Sequence, residues 1–154
     1  MAETPAQKFE IQKVYIKDLS FETPNSPKIF TEKWSPKTDV HIQTENAKLD
    51  DNIHEVAIIV TVTATQDEKT AFLVEVKQAG IFFIDNFPEE QQKQLLGSYC
   101  PNILFPFARE TVSELVTKGG FPQLLLNPVN FDALYQQHLN AVKEQKDNPE
   151  QIKH

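Results

Sequence analysis

Few side chains in this sequence are of a type and spacing that could do chemistry. Cys100 is the sole thiol among 154 residues. A cysteine nucleophile needs a base close by, and the run Ser98-Tyr-Cys-Pro-Asn102 carries no protease signature. A small buried thiol is the plainer reading. His41, His54, His138 and His154 are far apart, and none forms the His-x-x-x-His pair of a helical zinc site. No GxGxxG, Walker loop or GxSxG occurs. Gly119-Gly120 ends a helical pattern instead of opening one, so it reads as a cap and not as a phosphate cradle. Catalytic residues, a metal site and a cofactor are therefore not expected.

The carboxylates Asp18, Glu22 and Glu75 are more informative. Asp18 and Glu22 share one face of a strand, roughly 13 Å apart. That is too far for a hydrolytic pair acting together. Two readings remain open on pattern: a solvated sheet face, or an acidic docking surface for a basic partner. The aromatic residues divide similarly. Most of the eleven Phe suit a core. Phe30 and Trp34 lie in a proline-flanked connection, where they either staple the loop down or line an apolar groove together with the last helix.

The elements that must position these residues follow from patterning. Residues 9–22 read as a strand, with Phe9, Ile11, Tyr15, Leu19 and Phe21 on one face, interrupted by Lys13 and Lys17. The other face carries Val14, Ile16, Asp18 and Glu22. Thr23-Pro-Asn-Ser-Pro27 breaks that strand. Alternation resumes at 38–45, 53–65 and 70–84, with Gln66-Asp-Glu-Lys69 as a hairpin turn. Helices follow: a short one opened by Pro88 and stopped by Gly97, one ending at Lys118 before Gly119-Gly120, and one over 130–142 capped by Asn130. Pro106 places the start of the middle helix at about 102–105. The fold class expected is α+β, a four-stranded antiparallel sheet of long strands with helices packed on one face.

Length and composition bound the function. The chain suits a single domain, with a flexible N-terminus over 1–7, a folded unit over 8–142 and a disordered polar tail over 143–154. Fifteen Lys and Arg against 22 Asp and Glu give a net charge of −7. That balance argues against binding nucleic acid or an anionic membrane. No stretch approaches the roughly 20 apolar residues that span a bilayer, and no signal-peptide core opens the chain. A single cysteine suits a reducing compartment, so a cytoplasmic location is expected. Thirteen strand residues span roughly 43 Å, longer than one helix of four to five turns, about 25 Å, can cover. Such long strand edges invite pairing, so self-association is expected.

Three runs carry a specific resemblance: Ser98-Tyr-Cys-Pro-Asn-Ile-Leu-Phe-Pro-Phe-Ala-Arg-Glu110, Gly120-Phe-Pro-Gln-Leu124 and Asn127-Pro-Val-Asn-Phe-Asp-Ala-Leu-Tyr135. With Val14–Asn25 and Thr70–Phe82, they resemble SecB, the bacterial protein-export chaperone family. The likeness covers about residues 8–142. It implies a cytoplasmic homotetramer, a dimer of dimers with the long helices between two sheets. SecB-like proteins hold unfolded preproteins export-competent without using ATP and deliver them to the export ATPase SecA. The zinc-bearing C-terminal segment of SecA docks on an acidic sheet surface. The matching positions here are Asp18, Glu22, Leu73 and Glu75. The zinc belongs to that partner.

The resemblance further implies a client groove at Phe30, Trp34, Phe131, Leu134 and Tyr135. It implies an oligomer interface that includes Phe72, Val74, Val76, Val112 and Leu115. The alternatives are a SecB-like chaperone serving another system, such as a toxin–antitoxin pair, or a small α+β enzyme.

Overall fold

The fold was established from a computed structural model of the chain, which describes residues 5–147. The expected α+β architecture is met. Four antiparallel strands, β1 (Lys8–Glu22), β2 (Lys37–Asp50), β3 (Ile53–Gln66) and β4 (Lys69–Asp85), form one sheet in the order β1-β4-β3-β2. β3 and β4 are joined through Asp67 and Glu68, both at positive φ, as a tight hairpin matching the sheet's twist requires. β1 and β2 end up on opposite edges. The connection between them must therefore cross the end of the sheet, and its single 3-10 turn, Lys28–Thr31, buries Ile29.

Alternation sets the two faces of the central strands. Val56, Ile58, Val60 and Val62 of β3 and Phe72, Val74, Val76, Phe82 and Ile84 of β4 point inward and are buried. Burial of each such side chain is worth roughly 1.5–3 kcal/mol. Helix α2 (Cys100–Lys118) covers them with Leu104, Phe105, Ala108, Val112 and Val116, spaced three and four apart. Phe72, Val74, Val76 and Val112, assigned above to an oligomer interface, are thus core residues of the single chain. The helix that covers them is its own. Leu115 is half-buried at the margin of that core.

Strand β1 departs from simple alternation. Its pairing with β4 shifts between Ile11 and Lys13 and again between Ile16 and Asp18. Each shift inserts one residue and flips every side chain beyond it. Val14 and Ile16 therefore face inward, where they were expected outside, and Tyr15 faces outward. The second shift restores the original phase, so Leu19 and Phe21 point inward and Asp18 and Glu22 outward, as alternation predicts.

The helical half differs in two places. Gly97 does not stop a helix. α1 (Glu89–Gln94) runs through a π-turn at Leu95–Tyr99 into α2, so the chain turns continuously through this segment. The Tyr135 ring lies 2.5 Å from where a Cβ on residue 97 would sit, so glycine is needed there for packing. Pro106 lies inside α2, not at its start. It leaves the Asn102 carbonyl without an intrahelical donor, a cost eased because Asn102 is exposed.

α2 ends as expected. Gly120 takes φ +93°, Phe121 N–H donates to Val116 O at 3.2 Å and Gly120 N–H to Thr117 O at 3.1 Å. Asn130 Oδ1 accepts from Ala133 N–H at 3.0 Å and caps α3 (Phe131–Asp147). α3 thus carries the first five residues of the expected disordered tail, 143–147, in helical form. The remaining tail and residues 1–4 lie outside the described residues. Ala6 is held by a hydrogen bond its carbonyl accepts from Asn86 Nδ2 at 3.0 Å.

Candidate docking face and client grooves

The face of the sheet opposite α2 gathers the acidic residues. Register pairs Glu22 with Leu73, Ser20 with Glu75 and Asp18 with Lys77. Directly opposed residues in antiparallel strands keep their Cβ atoms about 4.5–5.5 Å apart. Asp18, Glu75 and Glu22 are exposed and follow one another along the row, with half-buried Leu73 beside Glu22 at one end and Asp18 at the other. All four candidate docking residues are thus brought together on two adjacent strands. Such a patch can hold a cationic segment that also carries an apolar contact.

Beside this row lies an ionic network that the sequence reading did not reach. Glu55 accepts a hydrogen bond from Lys17 Nζ at 2.8 Å and another from the Tyr15 hydroxyl. The Lys17 bond, then the Tyr15 bond, hold the Glu55 carboxyl below its ordinary range. Burial, followed by the bond to Glu55, pushes the Tyr15 phenol up to about 12. Lys77 pairs with Glu45 on β2. Lys13 and Lys17, which break the apolar alternation of β1, were the one available sign that this strand bulges.

The five candidate groove residues do not form a single groove. Phe30 and Trp34 stack around Phe121, with ring centroids at 5.1 and 5.2 Å, just past the C-terminal end of α2. Phe72 joins that cluster at 5.1 Å from Phe121. Phe131 instead packs on Phe105, with centroids 5.8 Å apart, near the other end of α2. The two clusters are separated by about 20 Å along the helix axis. Phe131 is buried and Trp34 half-buried, whereas Phe30 is 47% exposed.

Leu134 and Tyr135 line a cleft of 440 Å³ between α3, the π-turn and the inner side of β2, together with Ile42, Leu96 and Leu139. Leu134, Leu139 and Val142 continue the apolar stripe of α3 and remain exposed. A larger cleft of 700 Å³ borders the π-turn and the start of α3, with Phe87, Leu95, Tyr99 and Phe131 among polar neighbours. Nothing in the spacing of Phe87, Leu95 and Tyr99 points to it, because the π-turn changes the helical phase there.

The candidate nucleophile is disposed of by packing. Cys100 is fully buried, and burial alone pushes its thiol up to about 12, so it is not a thiolate at neutral pH. Among the described residues no group of three or more His, Cys, Asp or Glu could hold a metal ion. No helix of the described residues is long and apolar enough to cross a membrane.

A family model described as the preprotein translocase subunit SecB matches residues 2–142. The chain belongs to the SecB family. Protein-export protein SecB of Methylococcus capsulatus is 56% identical over 141 residues, covering 92% of this chain and 91% of that one. Protein-export protein SecB of Nitrosococcus oceani is 61% identical over 131 residues, covering 84% and 80%. A solved SecB-like chaperone of Mycobacterium tuberculosis, in complex with an antitoxin peptide, shares the fold with a TM-score of 0.66. It is 16% identical, over 79% of this chain and 90% of that one. The chain is therefore a protein-export chaperone, and SecB is a family of chaperones, not of enzymes.

Proposed function

We propose that this SecB-family chain, with residues 8–142 as its working unit, holds unfolded preproteins in the cytoplasm without ATP and passes them to SecA. The observation that carries this reading is the outer row of Asp18, Glu75 and Glu22 with Leu73 beside Glu22 at its end, an acidic row with one apolar contact on an uncovered sheet face. The zinc-bearing C-terminal segment of SecA docks there through charge and one apolar insertion. Its zinc comes with the partner.

Clients bind on the other side of the molecule. The aromatic cluster at Phe30 and Trp34 and the α3 cleft at Leu134 and Tyr135 serve as two stations for one client, with Phe131 as the buried floor between α3 and α2. About 20 Å corresponds to roughly six residues of extended chain, so a single unfolded segment reaches both. Each contact is weak, and occupying one raises the effective concentration at the next. Folded proteins are refused because their apolar segments are hidden.

The working unit is a homotetramer, a dimer of dimers. Its support is the incomplete cover of the sheet. α2 packs on β3 and β4, and while Phe9, Val14 and Phe21 of β1 are half-buried against the core, the other inward residues of that strand stay open: Ile11 is 50%, Ile16 46% and Leu19 43% exposed. A second copy covers them and removes the bare fifteen-residue edge of β1. α2 contributes through its outward residues, exposed Phe107 and half-buried Leu115, not through Val112.

The test is suppression of aggregation of an unfolded preprotein by the purified chain without nucleotide, with light scattering for mass. A tetramer that protects the preprotein and releases it to SecA supports the reading. Equal protection of a folded preprotein, or a monomer that protects fully, contradicts it.

A further inference from the structure

Asp18 has two cations at hand. Lys77 is its register partner on β4, and Lys17 precedes it in sequence. Either is near enough to close on the Asp18 carboxylate, and the docking row would then lose one of its three acids to a partner within the chain. Among the described residues neither does so. Lys77 turns away across β3 and pairs with Glu45 on β2. The crossing runs diagonally past Ile59, the β3 partner of Lys77, and over Ala57, the partner of Glu45, whose methyl group leaves room. Lys17 is drawn to Glu55 on β3 at 2.8 Å, where the Tyr15 hydroxyl completes the site. Glu45, through its hydrogen bond first, raises the Lys77 ammonium above its ordinary pKa, and the charges of Glu55 and Asp18 add to this, so Lys77 is bonded to Glu45 while still within the field of Asp18.

We propose that Glu45 and Glu55 are positioning residues for the docking row: by holding Lys77 and Lys17 toward β2 and β3, they keep Asp18 open to a cation of the partner. Lys17 and Lys77 are thus held toward β3 and β2, and Asp18, Glu75 and Glu22 stay unpaired among the described residues. An ion pair at the surface is a weak interaction, and its two alternatives, Glu45 or Asp18, differ little in intrinsic strength. Deleting the favoured acceptor is therefore enough to redirect the lysine. This inference rests on the docking reading and deepens it.

The experiment titrates the full chain with a zinc-loaded synthetic peptide of the SecA C-terminal segment, by calorimetry at low salt. Glu45→Ala is compared with Asp39→Ala. Asp39 is on the same strand and the same face, in the row of Leu73, and has no ion pair among the described residues. Both variants remove one negative charge, but only Glu45→Ala releases a lysine. The expected result is binding about two- to fivefold weaker in Glu45→Ala than in Asp39→Ala. Adding Lys77→Met to Glu45→Ala restores wild-type affinity or better. Equal binding of Glu45→Ala and Asp39→Ala, or no recovery on adding Lys77→Met, overturns this inference and leaves the docking reading standing. Unchanged binding in Asp18→Ala overturns the docking reading, and this inference with it.

Discussion

Residues 72 and 73 are neighbours in the chain and belong to different worlds. Phe72 lies buried under α2 against Phe121, while Leu73 looks out from the opposite face beside Glu22, at the end of the row that runs through Glu75 to Asp18. The same contrast runs through the whole sheet. The inner face holds the fold and, at its uncovered flanks, leaves apolar surface for other chains. The outer face contributes little to the core and arranges charge. The pleat lets one strand serve both purposes without compromise, because a change on one face does not reach the other. That geometry supports the proposal of separate sites for client and partner.

The largest expected effect breaks the comparison from the inside. Phe72→Ala should cost about 3–5 kcal/mol of stability in urea unfolding, since it opens a cavity in a closed core. Leu73→Ala should cost less than about 1 kcal/mol and weaken SecA-segment binding instead. Comparable destabilisation by both would erase the distinction between the faces.

Next in size, Leu19→Asp, on the bare inner side of β1, should shift the proposed tetramer to smaller species in light scattering at micromolar concentration. The same substitution at outward-facing Ser20 should leave the mass unchanged. If both behave alike, β1 does not present its inner side to a second copy.

A smaller effect concerns the network on the outer face. Tyr15→Phe removes one hydrogen bond to Glu55 and should cost about 1 kcal/mol at neutral pH. The Tyr15 pKa is raised in the folded state, so its contribution is present below pH 10 and lost as pH climbs toward about 12. Glu55 has the opposite sign: its pKa is lowered, and its contribution fades as pH falls below 4.5. The alkaline fall in stability should be shallower in Tyr15→Phe, as read by melting temperature against pH.

The gentlest perturbation is salt. Screening shortens from about 10 Å at 0.1 M to about 3 Å at 1 M. Docking of the SecA segment should weaken several-fold over that range, while binding of a neutral unfolded client stays nearly constant. Parallel weakening would merge the two sites.

Much of this arrangement is legible in the sequence, and the failures have physical causes. From Phe72 onward β4 alternates without interruption, so the opposite outlooks of Phe72, Val74 and Val76 and of Leu73 and Glu75 can be read from spacing alone. β1 is harder. Its two bulges misplace Val14, Tyr15 and Ile16, yet they cancel, and Asp18 and Glu22 emerge on the expected face. Gly97 has the look of a helix stop, but its lack of a side chain serves the approach of Tyr135 and not chain reversal. The grooves were the least legible part. Whether Phe30 and Phe131 share one surface depends on which end of α2 each packs against, and no local pattern encodes a contact between segments a hundred residues apart. The role of Val74 and Val76 turned on a similar matter, the chain's own helix occupying the face they present.

The most direct test of separate faces is one variant measured twice. Asp18→Lys combined with Glu75→Lys is titrated with the zinc-loaded SecA segment and, separately, with an unfolded preprotein. The account predicts that segment binding falls by at least about tenfold, as expected when two charges are reversed at a steered contact, while preprotein affinity changes less than about twofold. Loss of preprotein binding with segment binding retained, or equal loss of both, would contradict it.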